Sequence, residues 1–313
     1  MSPKQRKKTT EEKQEDIKEQ ENTETRKQKY GNTPGILWKK IFTRIALSVG
    51  IMLLVYFSSQ NSEKSFALQS ETVKEKLLEV PCSKKYKKEI LKYKGCAPQL
   101  CGRLVTDDLI LPQESAQLLQ IAKKGLSLSK SSGGASILDL HSGAISQGSS
   151  FVNVYQLMKE NNLNVFTHQD FQVYRNVKNK IKEIIAFKFG IIPQYLYLTH
   201  PTFFSQMTNR PPKTVHDEYW HIHVDKETYP SFHYTSLIYL NDYNKDFTGG
   251  RFVFVGKDLN VTVEPKAGRV SAFTSGAENP HRVEKVTSGT RYALTVSFTC
   301  DKSSSIADPT LKN

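Results

Sequence analysis

The sequence predicts an α+β protein: a sandwich or jelly roll of short strands, helices packed on one sheet face, and a transmembrane helix in front. Three observations carry this. After Gly190 the chain breaks into short runs rich in β-branched and aromatic residues, separated by turns bearing Gly, Asn and Asp. Ahead of Gly190, two stretches repeat apolar residues at helical spacing, which suits helices covering one face of a sheet. Further upstream, the run Ile41 to Phe57 is apolar on every side.

In order, residues 1–40 are mostly Lys, Glu, Gln, Thr and Arg and read as a disordered cytosolic tail, with too little apolar surface to offset the entropy of ordering. Residues 41–60 read as an uncleaved signal anchor. A spanning helix needs roughly 20 mostly apolar residues, and the bulky pair Tyr56-Phe57 stands where a signal-peptide cleavage site would need small residues. Lys39, Lys40 and Arg44 flank its N-terminal side, so the positive-inside rule puts the tail in the cytosol and everything after Phe57 in the lumen. The expected protein is a single-pass type II membrane protein of the endoplasmic reticulum or secretory pathway.

Two features agree with a lumenal domain. All four cysteines, Cys82, Cys96, Cys101 and Cys300, follow the anchor, and an even number permits two disulfides in an oxidising compartment. The one N-x-[ST] sequon, at Asn260, also lies there and makes Asn260 a candidate glycosylation site. No cysteine pair has C-x-x-C spacing, which argues against structural zinc.

Residues 61–103 are Lys-rich and read as a lumenal stem, with one weak helical pattern around Val73 to Leu78. The domain proper spans 104–313. Pro112 opens its first helix and Gly125 ends it. The Ser- and Gly-rich stretch 127–150 reads as loop. Thr167 with Asp170 forms a capping box for a second helix, whose core positions are Tyr174, Val177, Ile181, Ile184 and Ile185, and Gly190 stops it. Strands are expected at Tyr195–Leu198, Thr235–Leu240, Arg251–Val255, Val261–Val263, Arg269–Phe273 and Arg291–Thr299. The net charge of +13 lies in the tail, beside the anchor and in a patch at Lys84, Lys85, Lys87 and Lys88. No nucleic-acid-binding motif accompanies it, so nucleic acid is not an expected partner.

The chemistry centres on Trp220-His221-Ile222-His223-Val224-Asp225. On a strand, His223 and Asp225 point the same way and offer an imidazole and a carboxylate to one metal. His281 supplies a second imidazole, and two histidines plus a carboxylate form the facial triad of non-haem Fe(II) oxygenases. A hairpin across Thr287-Ser288-Gly289 sets His281 opposite Thr295, so His281, Arg291 and Thr295 share a face. Arg291 then lies roughly 13 Å from His281 at 3.3 Å per residue, about the span of a chelated diacid whose far carboxylate meets the guanidinium fork. His221 shares the face of His223 and reads as a satisfied pocket histidine, the alternatives being a support to the ligands or a substrate-facing group. His216 and His200 have no partner at ligand spacing.

The stretch from about Val215 to Asp301 resembles the catalytic core of Fe(II)/2-oxoglutarate dioxygenases of the prolyl 4-hydroxylase type. The matching segments are His223-Val224-Asp225, Leu237-Ile238-Tyr239-Leu240-Asn241-Asp242, Thr248-Gly249-Gly250, Val263-Glu264-Pro265-Lys266-Ala267-Gly268, His281 and Gly289-Thr290-Arg291-Tyr292-Ala293-Leu294-Thr295. The resemblance implies a double-stranded β-helix with its catalytic core at about 207–301. It implies Fe(II) on His223, Asp225 and His281, Arg291 on the distal carboxylate of 2-oxoglutarate, and Tyr239 and Thr295 lining the co-substrate. Many lumenal collagen-type relatives carry Lys where this chain has Arg291. It further implies molecular oxygen as co-substrate, L-ascorbate as reductant, and hydroxylation of a protein or peptide residue coupled to conversion of 2-oxoglutarate to succinate. The competing function is a catalytically silent, membrane-anchored scaffold on the same fold. The triad together with Arg291 favours the enzyme, because a silent fold has no physical need for all four.

Overall fold

The computed structural model describes residues 38–311 except 61, 62, 132, 215 and 216, together with 18, 22, 25 and 26; the side chains of 57–60 are not described. The expected disordered tail therefore falls almost wholly outside the described residues, as does His216. The chain divides into two compact units, Met1–Asn61 and Ser62–Asn313.

The first unit contains helix α1, Trp38–Gln60, with large apolar side chains exposed all round, among them Ile45, Leu47, Met52 and Leu54. Among the described residues no helix is long and apolar enough to cross a membrane, and the N-terminal end of α1 carries Lys39, Lys40 and Arg44.

The second unit is two sheets and a helical layer. The smaller sheet has the order β1-β12-β11-β14, with β1 Glu63–Ala67, β11 Phe252–Phe254, β12 Asn260–Val263 and β14 His281–Val283. The larger runs β2-β3-β13-β9-β15-β8-β4-β5-β6. The strands along that order are β2 Lys76–Val80, β3 Cys101–Thr106, β4 Ala135–Leu138, β5 Ala144–Gln147, β6 Ser150–Asn153, β8 Phe203–Thr208, β9 Tyr234–Tyr239, β13 Val270–Thr274 and the long β15 Val286–Thr299, to which the short β7 Tyr197–Leu198 also pairs.

Alternation along the central strands sorts side chains between two cores. Leu104, Ile238 and Leu294 point to the helices, where they meet Leu118, Ile121, Tyr174, Val177 and Ile181. Val105, Leu237 and Tyr239 point the other way and meet Phe252, Phe254, Val263 and Val283 of the smaller sheet. The two long helices are α3, Pro112–Leu126, and α5, His168–Phe189, both on one sheet face as expected, with the short α4, Val154–Glu160, between them in the chain. The Thr167 side chain accepts from the Asp170 N–H and Asp170 accepts from the Thr167 N–H; Gly190 closes α5 with φ 64°. Helix α3 runs through Gly125, whose absent side chain lets Leu138 and Phe166 pack close.

Several local expectations give way to long-range pairing. Residues 61–103, expected as a stem, enter both sheets: β1 pairs in parallel with β12, and β2 pairs with β3. The weak helical pattern at Val73 to Leu78 forms no helix, and its second half, from Lys76, opens strand β2. Between β2 and β3 lies a short helix α2, Lys84–Ile90. The stretch 127–150, expected as loop, holds β4 and β5, Ala144–Gln147, because β4 finds a partner in β8. No local pattern reveals such partners, since pairing energy comes from another strand. The proposed hairpin also fails: β14 pairs with β11 in the smaller sheet, while β15 pairs with β8 and β9 in the larger. Disulfides join Cys82 to Cys101 and Cys96 to Cys300, leaving no free cysteine among the described residues.

Candidate active site

His223 and His281 face each other across an isolated antiparallel bridge, each donating its N–H to the other's carbonyl at 3.0 Å. Directly opposed residues in such a pair carry their side chains on one face, and the two rings lie 4.4 Å apart. Asp225 is not on a strand with His223. It opens the single-turn helix α6, Asp225–Thr228, and that turn brings its carboxylate back toward the imidazoles. Its Oδ1 lies 3.6 Å from His223 Nε2 and 3.5 Å from His281 Nε2. The expected convergence is present, but a bridge and a helix start produce it in place of strand alternation and a hairpin.

The donor atoms of His223, Asp225 and His281 all lie within 4.8 Å of one another. His223 Nδ1 faces the His221 carbonyl at 3.0 Å and His281 Nδ1 faces the Asn279 carbonyl at 2.9 Å. With protons held on Nδ1, each Nε2 lone pair is free for a metal. The Thr235 hydroxyl donates to Asp225 Oδ2 at 2.6 Å, leaving Oδ1 for the cation. Burial on its own raises the Asp225 carboxyl, but the imidazoles and Thr235 outweigh it and hold the group well below the usual carboxylate range. The residues fit a divalent metal with two neutral ligands, one anionic ligand and open positions.

Arg291 is buried at 1 % exposure on β15. Its Nε donates to the Gly250 carbonyl at 2.9 Å and its Nη1 approaches Met207 Sδ at 3.7 Å. Nη2 has no hydrogen-bond partner. The guanidinium carbon stands 5.5 Å from the centre of the Tyr239 ring, and the buried Tyr239 hydroxyl is also unpartnered. Burial pushes Tyr239 up to about 12, so it is a neutral donor. Unsatisfied buried donors are costly, and two in one place mark where an anionic ligand belongs.

Tyr239 and Phe252 belong to one apolar cluster, and Phe252 stacks on His281 at 4.9 Å. The cluster thus links the three-donor end to the Arg291 end. Thr295 is opposite Leu237 on β9, on the same face of β15 as Arg291, and it is half-buried. His221 lies outside this cluster of donors: it is exposed and its Nε2 meets Glu218 at 2.7 Å. Sequence reasoning missed Thr235, Asn279 and Phe252 as supports of the ligands. The matched Thr248-Gly249-Gly250 segment was the available signal for the Gly250 carbonyl behind Arg291.

The sequence profile of the 2OG-Fe(II) oxygenase superfamily matches residues 209–299, which include His223, Asp225, His281 and Arg291. The mouse (Mus musculus) 2-oxoglutarate and iron-dependent oxygenase domain-containing protein 3 is 49% identical over 295 residues, spanning 92% of this chain and 92% of its own. The chain belongs to the 2OG-Fe(II) oxygenase superfamily. As a 2OG-Fe(II) oxygenase it takes Fe(II), 2-oxoglutarate and dioxygen, and the two-sheet domain is the family's double-stranded β-helix. Human prolyl 3-hydroxylase 2 is 45% identical to this oxygenase over 71 residues, which cover 22% of this chain and 10% of its own. A Trichoplax adhaerens prolyl hydroxylase in complex with a hypoxia inducible factor peptide fragment superposes with TM-score 0.43 at 15% identity, covering 70% of this chain and 92% of its own.

Proposed function

We propose that this oxygenase is a membrane-anchored lumenal hydroxylase that modifies a protein or peptide residue, with His223, Asp225 and His281 holding Fe(II) and Arg291 holding the far carboxylate of 2-oxoglutarate. One observation carries the reading: three converging metal donors stand across an apolar cluster from a fully buried guanidinium with an unpartnered Nη2. Bound Fe(II) and 2-oxoglutarate supply oxidative decarboxylation to succinate coupled to oxygen insertion into a C–H bond.

The chain's own residues do the rest. Arg291 and Tyr239 present donors from one wall, and Thr295 lines the same face of β15. Phe252, Phe254 and Phe273 surround His281 and exclude water from its side of the site. The backbone carbonyls of His221 and Asn279 fix the histidine tautomers. L-ascorbate is the expected reductant of stray oxidised iron.

A peptide substrate is supported by the 71-residue likeness to prolyl 3-hydroxylase 2 and by Ile222, Tyr229 and His221, which stand exposed beside the ligands. The lumenal placement is supported by both disulfides, the Asn260 sequon and the cationic flank of α1. The apolar run Ile41 to Phe57 of the sequence supports the anchor, although the described part of α1 alone is not long and apolar enough to span.

The test uses protein purified anaerobically with Fe(II). It should bind one iron and form succinate from 2-oxoglutarate. Mass spectrometry of secretory proteins with and without the enzyme should then show gains of one oxygen. Protein that neither binds 2-oxoglutarate nor forms succinate is a scaffold.

A further inference from the structure

The lysine-rich segment between Cys82 and Cys101 plays no part in the site described so far. It carries Lys84, Lys85, Lys87, Lys88, Lys92 and Lys94, all exposed, and a single acid, Glu89. That acid is turned inward: Glu89 Oε1 meets Lys226 Nζ at 2.6 Å, one residue after Asp225. None of the six lysines has an acidic partner within 4.0 Å among the described residues.

Two of the charges stand where helix physics opposes them, while Lys87 and Lys88 lie in the last turn, where the dipole favours cations. Lys84 and Lys85 occupy the first turn of α2, which has no acidic residue there, against the positive end of the helix dipole. Lys84 and Lys88 are like charges four residues apart, which repel. Ser83 gives no side-chain cap; its N–H is held by Glu278 Oε2 at 3.1 Å. Departures from local rules of this kind concentrate at functional or strained sites.

The segment is also rigidly mounted beside the metal donors. The Cys82–Cys101 disulfide closes it, and Cys96 is tied to Cys300. Tyr86 donates to the His233 carbonyl at 2.8 Å. Glu278, which holds Ser83, precedes Asn279, whose carbonyl orients His281. The cations are thus fixed to the two stretches of chain that carry Asp225 and His281.

We propose that this lysine face is a docking surface for an acidic segment of the polypeptide substrate, rich in Asp or Glu and placed beside the residue to be hydroxylated. The word substrate rests on the hydroxylase reading above; the docking surface does not. Lysine suits the task because a flexible, hydrated point charge follows a carboxylate run without fixed geometry.

The experiment measures fluorescence anisotropy of a labelled decaglutamate peptide with the full-length protein in neutral detergent. Two variants carry equal charge loss. One replaces Lys84, Lys85, Lys87 and Lys88 by Gln; the other replaces Lys123, Lys124, Lys130 and Lys159, exposed elsewhere on the domain, by Gln. Wild type should bind the peptide, more weakly as salt rises. The patch variant should lose at least tenfold in affinity and the control less than twofold, with matching thermal unfolding of all three. Equal loss in both variants would reduce the effect to net charge and overturn the proposal. Displacement of the peptide by phosphatidylserine vesicles, where phosphatidylcholine vesicles do nothing, would reassign the face to a lipid surface and also overturn it. Succinate formation by wild type without peptide is read in parallel and reports on the hydroxylase reading alone.

Discussion

At the scale of single residues, the proposed site gives Asp225 and Arg291 different work, and their variants should separate. Asp225→Ala removes the one anionic ligand and leaves two neutral imidazoles for a dication. Bound iron, measured by metal analysis, should fall to background, and succinate formation with it. Arg291→Ala should keep its iron while the 2-oxoglutarate requirement rises. Losing a buried charge-assisted contact costs roughly 2–5 kcal/mol, which is about one to three decades at 1.4 kcal/mol per decade. Arg291→Lys should recover part of the loss, since it keeps the charge without the fork. An Arg291→Ala enzyme with an unchanged 2-oxoglutarate requirement would remove that residue from the site. Residue types at characteristic spacing made this layer legible: His223, Asp225, His281 and Arg291 are recognisable in the sequence before any fold is known. Their supports were not. Thr235 and Asn279 are ordinary polar residues whose roles exist only once β9 and the loop before β14 arrive beside the triad.

At the scale of elements, the turn from β10, Phe247–Gly249, into β11 positions Arg291. Gly250 has φ 66°, and an added Cβ would meet Arg291 Cδ at 3.0 Å and Phe247 and Val286 at 3.1 Å. Its carbonyl also accepts from Arg291 Nε. Gly250→Ala therefore combines an unfavourable backbone conformation, about 1–2 kcal/mol, with displacement of the guanidinium. The expected result is raised 2-oxoglutarate requirement with iron content retained; unchanged co-substrate kinetics would show that the turn does not set Arg291. Elements with strong local signals were read well, as the Thr167 capping box and the β9 and β15 runs show. Strands β1, β2 and β4 were not, because their order comes from β12, β3 and β8 far along the chain. The same blindness produced the hairpin between His281 and Arg291. Nearness in sequence suggested one sheet, and the structure divides the pair between two.

At the scale of the molecule, buried carboxylates tie distant parts together and set the response to acid. Asp107 takes Arg269 Nε at 2.7 Å and the Val73 N–H at 2.9 Å, joining β3 to the segment before β2 and to the start of β13. Burial alone raises this carboxyl, but Arg269 and Val73 hold it below the ordinary value; backbone N–H groups do the same for Asp217. Folded values depressed in this way stabilise the domain above the unfolded carboxylate value near 4, and the contribution is lost as pH falls through the folded values. The urea midpoint should hold steady near pH 6 and drop on acidification below about pH 4. Asp107→Asn should start lower and fall less steeply; a wild-type midpoint flat to pH 3 would refute this account. Topology has its own test: in intact microsomes the domain after α1 should resist protease until detergent is added, and digestion without detergent would place it on the cytosolic side.

The Cys96–Cys300 bond, whose ends stand 204 positions apart in the sequence, encloses almost everything that makes the oxygenase. Topologically the chain is a loop closed by one covalent bond, with a tail at each end. A single peptide-bond cut anywhere between the two cysteines opens the loop but releases nothing, so a clipped molecule keeps its mass and its attachment to α1. Damage to the oxygenase domain would then stay hidden on a gel run without reductant and appear as two fragments once thiol is added.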